Sequence, residues 1–355
     1  TKGDGGLRHK KLNGIILAAA FLGVLGYVLY TDGPENLLGM FRSIRPLWMG
    51  GAVLLMLLYW LLEGGILHGV IRIFHPGQRF WRSLRTSMLG QLFNCLTPFA
   101  SGGQPVQAYD MVRSGVPLGA AGSALMIKFI LYQISLTVYS ALVLIFYWKP
   151  FSLQVSGFGW LVFIGFAVNA LVMLGLLGIC FFRRPARALA LWLVQLGARL
   201  RVVKDPEAAR VYLDQELERF HGSFAIIGGH KGVMLWQLFL CFVQLTVFFL
   251  IPYFVLLAFG IQELSPVLVV AAQAFVVMIS SFVPLPGAAG GAEFSFHTFF
   301  EPFFPAGASV NPAMLLWRVI TFYLPILVGM LFMATGALEG KTSKGSALRA
   351  SRQGD

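Results

Sequence analysis

Eight hydrophobic stretches, six continuous and two interrupted, set the limits on what this chain can fold into. A bilayer core of about 30 Å needs about 20 apolar residues in a helix rising 1.5 Å per residue. Segments 12–30, 46–71, 118–148, 157–182, 233–259 and 312–338 meet that requirement. Segments 80–113 and 266–304 are also hydrophobic but interrupted by Pro and Gly, the first at Thr97-Pro98-Phe99-Ala100-Ser101-Gly102-Gly103-Gln104-Pro105. The second breaks at Pro284-Leu285-Pro286-Gly287-Ala288-Ala289-Gly290-Gly291. Each reads as two short helices around an unwound middle, entering and leaving on one side; two short full crossings would give the same parity. A soluble fold is excluded by supply: 57% of residues are hydrophobic and 12% charged, where a soluble surface takes about 25%. The expectation is an all-α polytopic membrane protein, 1–355 forming a single integral domain.

Charge sets the orientation. The 27 Lys and Arg against 15 Asp and Glu give +12, which in a soluble chain would suggest nucleic acid. Here it follows the positive-inside rule instead. With the N-terminus inside, segments 1–11, 72–85, the turn at Arg113, 183–232 and 339–355 carry 22 of the 27 basic residues. Both termini are therefore expected in the cytoplasm. The basic stretch Lys2 to Lys11 precedes an apolar run without a small-residue cleavage site, the pattern of a retained first span. Cys95, Cys180 and Cys241 lie far apart in apolar stretches, with no spacing that suggests a disulfide framework or zinc. They are expected to be packing residues.

The order of elements repeats: two spans, a broken pair and one span, then the same again. An odd number of spans per half inverts the second copy, so halves at about 12–150 and 157–338 form an expected inverted repeat. Interrupted segments at matching places in two halves mark a transporter with its site at the repeat interface. No residue-level repeat accompanies the order. The cytoplasmic loop 183–232 carries Leu189, Leu193, Leu196 and Leu200 at helical spacing, then Tyr212, Leu213, Leu217 and Phe220 among charges. Two amphipathic helices on the headgroups and a solvated hairpin packed on the span ends fit equally well.

Unwound backbone at membrane depth survives only where it is buried in protein or lines a wet cavity. The first break offers Asn94, Thr97, Ser101 and Gln104 beside Gly102 and Gly103, whose missing side chains would let a ligand reach backbone N–H groups. The second offers Pro286, Gly287, Gly290 and Gly291. Half-helix N-termini near Pro105 and Gly291 would suit a phosphate. A glycine-rich hinge that merely lets two half-helices cross is the alternative. The ionisable residues in or beside the apolar segments are Glu63, His68, Lys128, Glu293 and Arg318, and each needs a partner or water. Arg318 is within reach of Glu293 if the halves pack together, either as a pair pinning the fold or as a phosphate contact. Glu63 and His68 are five apart, off the i, i+4 face of a metal pair, so no metal site is expected. Arg72, Arg79, Arg82 and Arg85 form a basic cluster without an acid where the second span meets the cytoplasm, as orientation charge or as an entrance gathering anionic headgroups. No GxSxG, P-loop or HExxH pattern occurs, and nothing calls for a catalytic residue or a cofactor.

Three motifs in order carry a resemblance. Leu96 to Tyr109 with Gly115-Val116-Pro117, then Pro284 to Glu293, then Trp317-Arg318 with Tyr323-Leu324-Pro325 and Gly329 resemble the lysylphosphatidylglycerol synthase/flippase membrane-domain family. This is the membrane part of the multiple peptide resistance factor and its stand-alone relatives. The family's first motif usually runs Gly-Gly-Glu-Pro with Arg three residues after the Glu; here those positions are Gln104 and Gln107, so an ion-pair role does not carry over. The resemblance implies a multi-pass protein of the bacterial inner membrane that moves phospholipid, such as aminoacylated phosphatidylglycerol, between leaflets and so confers resistance to cationic antimicrobial peptides. It adds Tyr323 to the headgroup-contacting set. The alternative it implies is the membrane half of a phosphatidylglycerol lysyltransferase. Its aminoacyl-tRNA-dependent catalytic domain is not in this chain, which by itself is not expected to be an enzyme. The expected partners are phospholipids, anionic or aminoacylated, a fused or separate synthase domain, and further copies of the chain in a homo-oligomer.

Overall fold

A computed structural model describes residues 44–154, 158–199, 229–281, 283–305 and 307–334, with isolated positions from 207 to 222. The expected first span at 12–30 and both charged termini lie outside the described residues. Helices are numbered from the first one described. α1 (Pro46–Phe74) starts with proline at its first turn, where a missing N–H costs nothing. It stops at His75, whose N–H bonds Ile71 O, just before Pro76-Gly77. α2 (Phe80–Leu96), a short turn Pro98–Ala100 and α3 (Gly103–Arg113) follow. Next come α4 (Leu118–Gln154), α5 (Phe158–Phe181) and α6 (Arg183–Arg199). After the loop come α7 (Lys231–Ala258), α8 (Pro266–Ser280), a turn Pro286–Ala288, and α9 (Gly291–Phe300). α10 runs Asn311–Ala334 and contains one wide π turn, Val319–Tyr323.

Among the described residues, four helices are long and apolar enough to span: α1, Leu118–Lys149 within α4, α7 and α10. They coincide with four of the six expected spans. A fifth expected span, 157–182, is helical as α5.

At both interrupted segments the chain folds back. In the first, Thr86 on α2 bonds Asp110 on α3 at 2.7 Å, a Cβ on Gly90 would strike Gln107, and Asn94 bonds Gly103 at 3.0 Å. These pairs close in step toward the turn, the register of an antiparallel hairpin. In the second, Phe275 on α8 stacks on Phe299 on α9 with centroids 5.4 Å apart. With 11 residues in α3 and 10 in α9, the returning arms are about 15 Å long, half the hydrocarbon thickness.

The centre is an antiparallel pair, α1 against α7, packed so closely that a Cβ on Gly51 would enter the Phe254 ring and one on Gly69 would strike Gln237. Phe249, Phe275, Phe296, Phe299 and Phe300 are fully buried around the α7–α8–α9 side. Large apolar side chains such as Ile145, Phe146, Trp160 and Leu331 face outward, as a lipid-facing surface requires. In the 183–232 loop, Arg187 on α6 forks onto Asp214 at 2.9 and 2.8 Å and Val194 is buried, which favours a packed hairpin. Tyr212, Leu217 and Phe220 lie outside the described residues.

The last span leans on α2 at Gly329, where a Cβ would come within 2.7 Å of Leu92 Cβ and 3.1 Å of Met88 O. Gly329→Leu should therefore lower stability by about 1–3 kcal/mol, read as a lower melting temperature in detergent. Gly65→Ala, with nothing within 4 Å, should hold it or raise it.

Candidate functional site

The first break satisfies its own backbone. Thr97 Oγ1 donates to Phe93 O at 2.7 Å and accepts from Gly102 N at 2.8 Å, while Asn94 Oδ1 accepts from Gly103 N at 3.0 Å. Pro105 has no N–H. The amide hydrogens expected to meet a ligand at Gly102 and Gly103 are thus already bonded to side chains. The glycines are required because a Cβ at either would overlap Thr97 or Asn94. Phe99 and Ala100 sit at φ 53° and 51°, left-handed conformations that cost non-glycine residues roughly 1–2 kcal/mol each.

The second break is built on the same pattern. Pro98-Phe99-Ala100-Ser101-Gly102-Gly103 and Pro286-Gly287-Ala288-Ala289-Gly290-Gly291 share Pro-x-Ala-x-Gly-Gly, and Gly287 and Ala288 repeat the left-handed pair at φ 63° and 53°. The two breaks therefore share a short motif, four identities in six positions. Here the amides are capped by charge. Glu293 Oε2 accepts from Gly290 N at 2.7 Å, and its Oε1 accepts from Arg318 Nε at 2.7 Å. Arg318 Nη1 donates to Gly287 O at 3.0 Å. The guanidinium also lies 5.2 Å from the Trp317 ring centroid and 5.4 Å from that of Phe322, which fills the space beside Gly287. The anticipated Glu293–Arg318 pair is real, and it clamps α9 to α10. The positive end of α9 is met by Glu293, its own N-terminal carboxylate.

The two turns touch: Cα atoms of Pro98–Ala100 lie within 8 Å of those of Pro286–Ala288. Beside the first break opens a cavity of about 540 Å³ between α1, α2, α3, α4 and α7. Asn94, Ser101, Gln104 and Gln107 come to its wall from the break, Tyr59 and Glu63 from α1, Lys128 and Tyr132 from α4, and Gln244 from α7. Glu63 is the hub. It pairs with Lys128 through Oε1 and accepts from Gln244 Nε2 at 2.6 Å through Oε2, so one carboxylate joins three helices. Glu293, Arg318 and the second break are not on this wall. Where a site at the interface of the two halves was expected, the turns touch and a polar cavity opens on the first-break side, because Glu293 is turned into Gly290 and Arg318.

Other expected residues land as follows. Arg72, Arg79 and Arg82 are exposed. Arg85 is not part of a free basic cluster: its Nη2 pairs with Asp110 at 3.1 Å, tying α2 to α3. His68 Nδ1 lies 3.3 Å from Ser83 Oγ, away from Glu63. Tyr323 packs edge-on to Phe322 in the π turn. Cys95 and Cys241 are free thiols; the Cys180 side chain lies outside the described residues. No group of metal-ligating side chains occurs among the described residues. Sequence reasoning missed the Glu63–Lys128–Gln244 triad as a unit, although Glu63 and Lys128 were each singled out.

Membrane-length helices, folded-back hairpins and a charged cavity beside a break define a polytopic α-helical membrane protein with an intramembrane polar site. The chain belongs to the lysylphosphatidylglycerol synthase transmembrane-region family, whose profile matches residues 13–329. It is similar to a protein of Archaeoglobus fulgidus described as a UPF0104 membrane protein, 26% identical over 267 residues that cover 75% of this chain and 79% of the relative. No solved structure matches.

The cavity wall fixes an accessibility pattern. Ser101 is exposed on it, whereas Ala292 is 3% exposed behind the second turn. A cysteine at Ser101 should react with a small charged thiol reagent within minutes, and one at Ala292 should stay protected until the protein is denatured. In the same way Glu293→Gln and Arg318→Met should each cost about 3–5 kcal/mol by orphaning a buried charge, and the double substitution should cost less than either sum predicts.

Proposed function

We propose that this chain is a phospholipid translocase of the cytoplasmic membrane. Headgroups pass through the cavity beside the first break while acyl chains stay against apolar outer faces. The observation that supports this most is the cavity itself. It is a polar space of about 540 Å³, within the range of small-molecule sites, in a chain whose outer surface is lipid-like. Neutral amides at Gln91, Asn94, Gln104 and Gln244 can replace headgroup hydration, and Glu63 and Lys128 supply charge. The exposed Arg72, Arg79 and Arg82 would draw headgroup phosphates to the cytoplasmic face. Family membership supports a role in handling phospholipid, as the family's description implies.

The reading includes an inverted repeat with both termini in the cytoplasm. Its supports are the positive-inside charge distribution, the Pro-x-Ala-x-Gly-Gly motif in both breaks, and the contacts between equivalent parts, α1 with α7 and turn with turn. The second break, with its Glu293–Arg318 clamp, is then the fixed counterpart against which the first hairpin moves. Aminoacylated phosphatidylglycerol as cargo, peptide resistance as the consequence, and partnership with a synthase domain belong to the same proposal. The bacterial inner membrane is the setting this proposal includes.

Purified protein in vesicles should accelerate leaflet exchange of labelled phospholipid well above the rate in empty vesicles. Gln104→Trp, which fills the cavity, should slow exchange at least about tenfold, equivalent to 1.4 kcal/mol on the barrier. Trp160→Ala on the outer face should not. Exchange at the empty-vesicle rate with several headgroups would overturn the proposal.

A further inference from the structure

We infer that the cavity selects a zwitterionic headgroup, one bearing an ammonium and a phosphate, by exchanging ion pairs with Glu63 and Lys128. The inference rests on the translocase reading of the same site and adds its charge rule. The first observation is the inventory: of the sixteen residues on the cavity wall, Glu63 and Lys128 alone carry a charge. The others are amides, hydroxyls, one thiol and apolar groups, including Gln104 and Gln107. The wall is therefore neutral overall while holding one carboxylate and one ammonium.

The second observation is burial. The Lys128 and Glu63 side chains are 12% and 11% exposed, so neither is charged at leisure in water. Each needs the other, or a substitute of the same sign, at every stage of a binding event. A ligand with an ammonium and a phosphate supplies both substitutes at once. Its ammonium takes the Glu63 carboxylate and its phosphate takes the Lys128 ammonium, so one ion pair becomes two and the cavity stays neutral. An anionic headgroup could take Lys128 but would leave Glu63 facing a phosphate. A purely cationic one would do the reverse to Lys128.

The third observation is that the two charges are held differently. Glu63 is fixed from two sides, by Lys128 on Oε1 and by Gln244 on Oε2 at 2.6 Å. When Lys128 leaves, Gln244 still orients the carboxylate, so the acceptor for a ligand ammonium is preformed. Lys128, on a four-carbon stem, is the part that can swing. It acts as a tethered surrogate for the ligand's own cation, occupying Glu63 in the empty cavity and released to the phosphate when the cavity fills. The same chemistry fits a lipid headgroup and a free small phosphodiester zwitterion such as glycerophosphoethanolamine.

The test uses the full chain in vesicles and two kinds of probe. Labelled lipids with identical acyl chains carry either a phosphoethanolamine or a phosphoglycerol headgroup, and radiolabelled glycerophosphoethanolamine is offered free outside. Expected is exchange of the ethanolamine lipid at least about tenfold faster than the glycerol lipid, the discrimination that one mispaired charge imposes. Glu63→Gln should shift the preference toward the glycerol lipid. Glu63→Gln with Lys128→Met, which keeps the cavity neutral and spares the fold an orphan charge, should abolish the preference in either direction. Equal exchange of both lipids by the unaltered protein would overturn the charge rule and leave translocation standing. Uptake of free glycerophosphoethanolamine without lipid exchange would keep the zwitterion site and overturn its lipid source. Neither exchange nor uptake would overturn both.

Discussion

An unwound peptide inside a bilayer has no water to bond to, and this constraint organises the rest of the molecule. Each break leaves amides and carbonyls that cost several kcal/mol if unpaired in hydrocarbon. The first break answers with neutral side chains, Thr97 and Asn94, reaching Gly102 and Gly103 from the preceding helix. The second answers with charge, Glu293 to Gly290 and Arg318 to Gly287. Both solutions need glycine where the capping group or a packed ring sits, and both place left-handed residues at the same two positions of the turn. The two turns then meet.

From that difference follows the asymmetry of the site. Charge at the second break is consumed by the break itself, so Glu293 and Arg318 hold α9 against α10 and present little to a ligand. At the first break the caps are neutral and local, and the charges stand one helix away, on Glu63 and Lys128. There they line a space instead of closing it. The α1–α7 pair makes this arrangement possible: Gly69 and Gly51 let the two helices approach closely, which carries Gln244 to Glu63.

The membrane class, four of the spans and both breaks were legible because apolar runs of fixed length and Pro-Gly interruptions are local signals. Glu293 and Arg318 were legible as a pair because each sits next to a motif and the halves were expected to meet. Glu63 and Lys128 were not, since they lie 65 positions apart on separate helices and only packing brings them together. Arg85 was misread as free because its partner, Asp110, lies across the turn. Once the hairpin register is known, 85 opposite 110 follows as directly as 94 opposite 103. The Pro-x-Ala-x-Gly-Gly motif was in plain view, but four identities in six positions, in halves otherwise dissimilar, gave no alignment signal.

The defining contact of the fold is the meeting of the two breaks, with the cavity opening beside the first of them. It is tested most directly by paired cysteines, Ala100→Cys with Ala288→Cys, in a background where the three native cysteines are replaced. Both positions already carry a Cβ in the same backbone conformation. With Cα atoms of the two turns within 8 Å, a short bifunctional thiol reagent should link the pair rapidly in intact membranes, seen as a resistant product after cleavage in the 183–232 loop. Efficient labelling of each cysteine alone without any link between them would contradict the account.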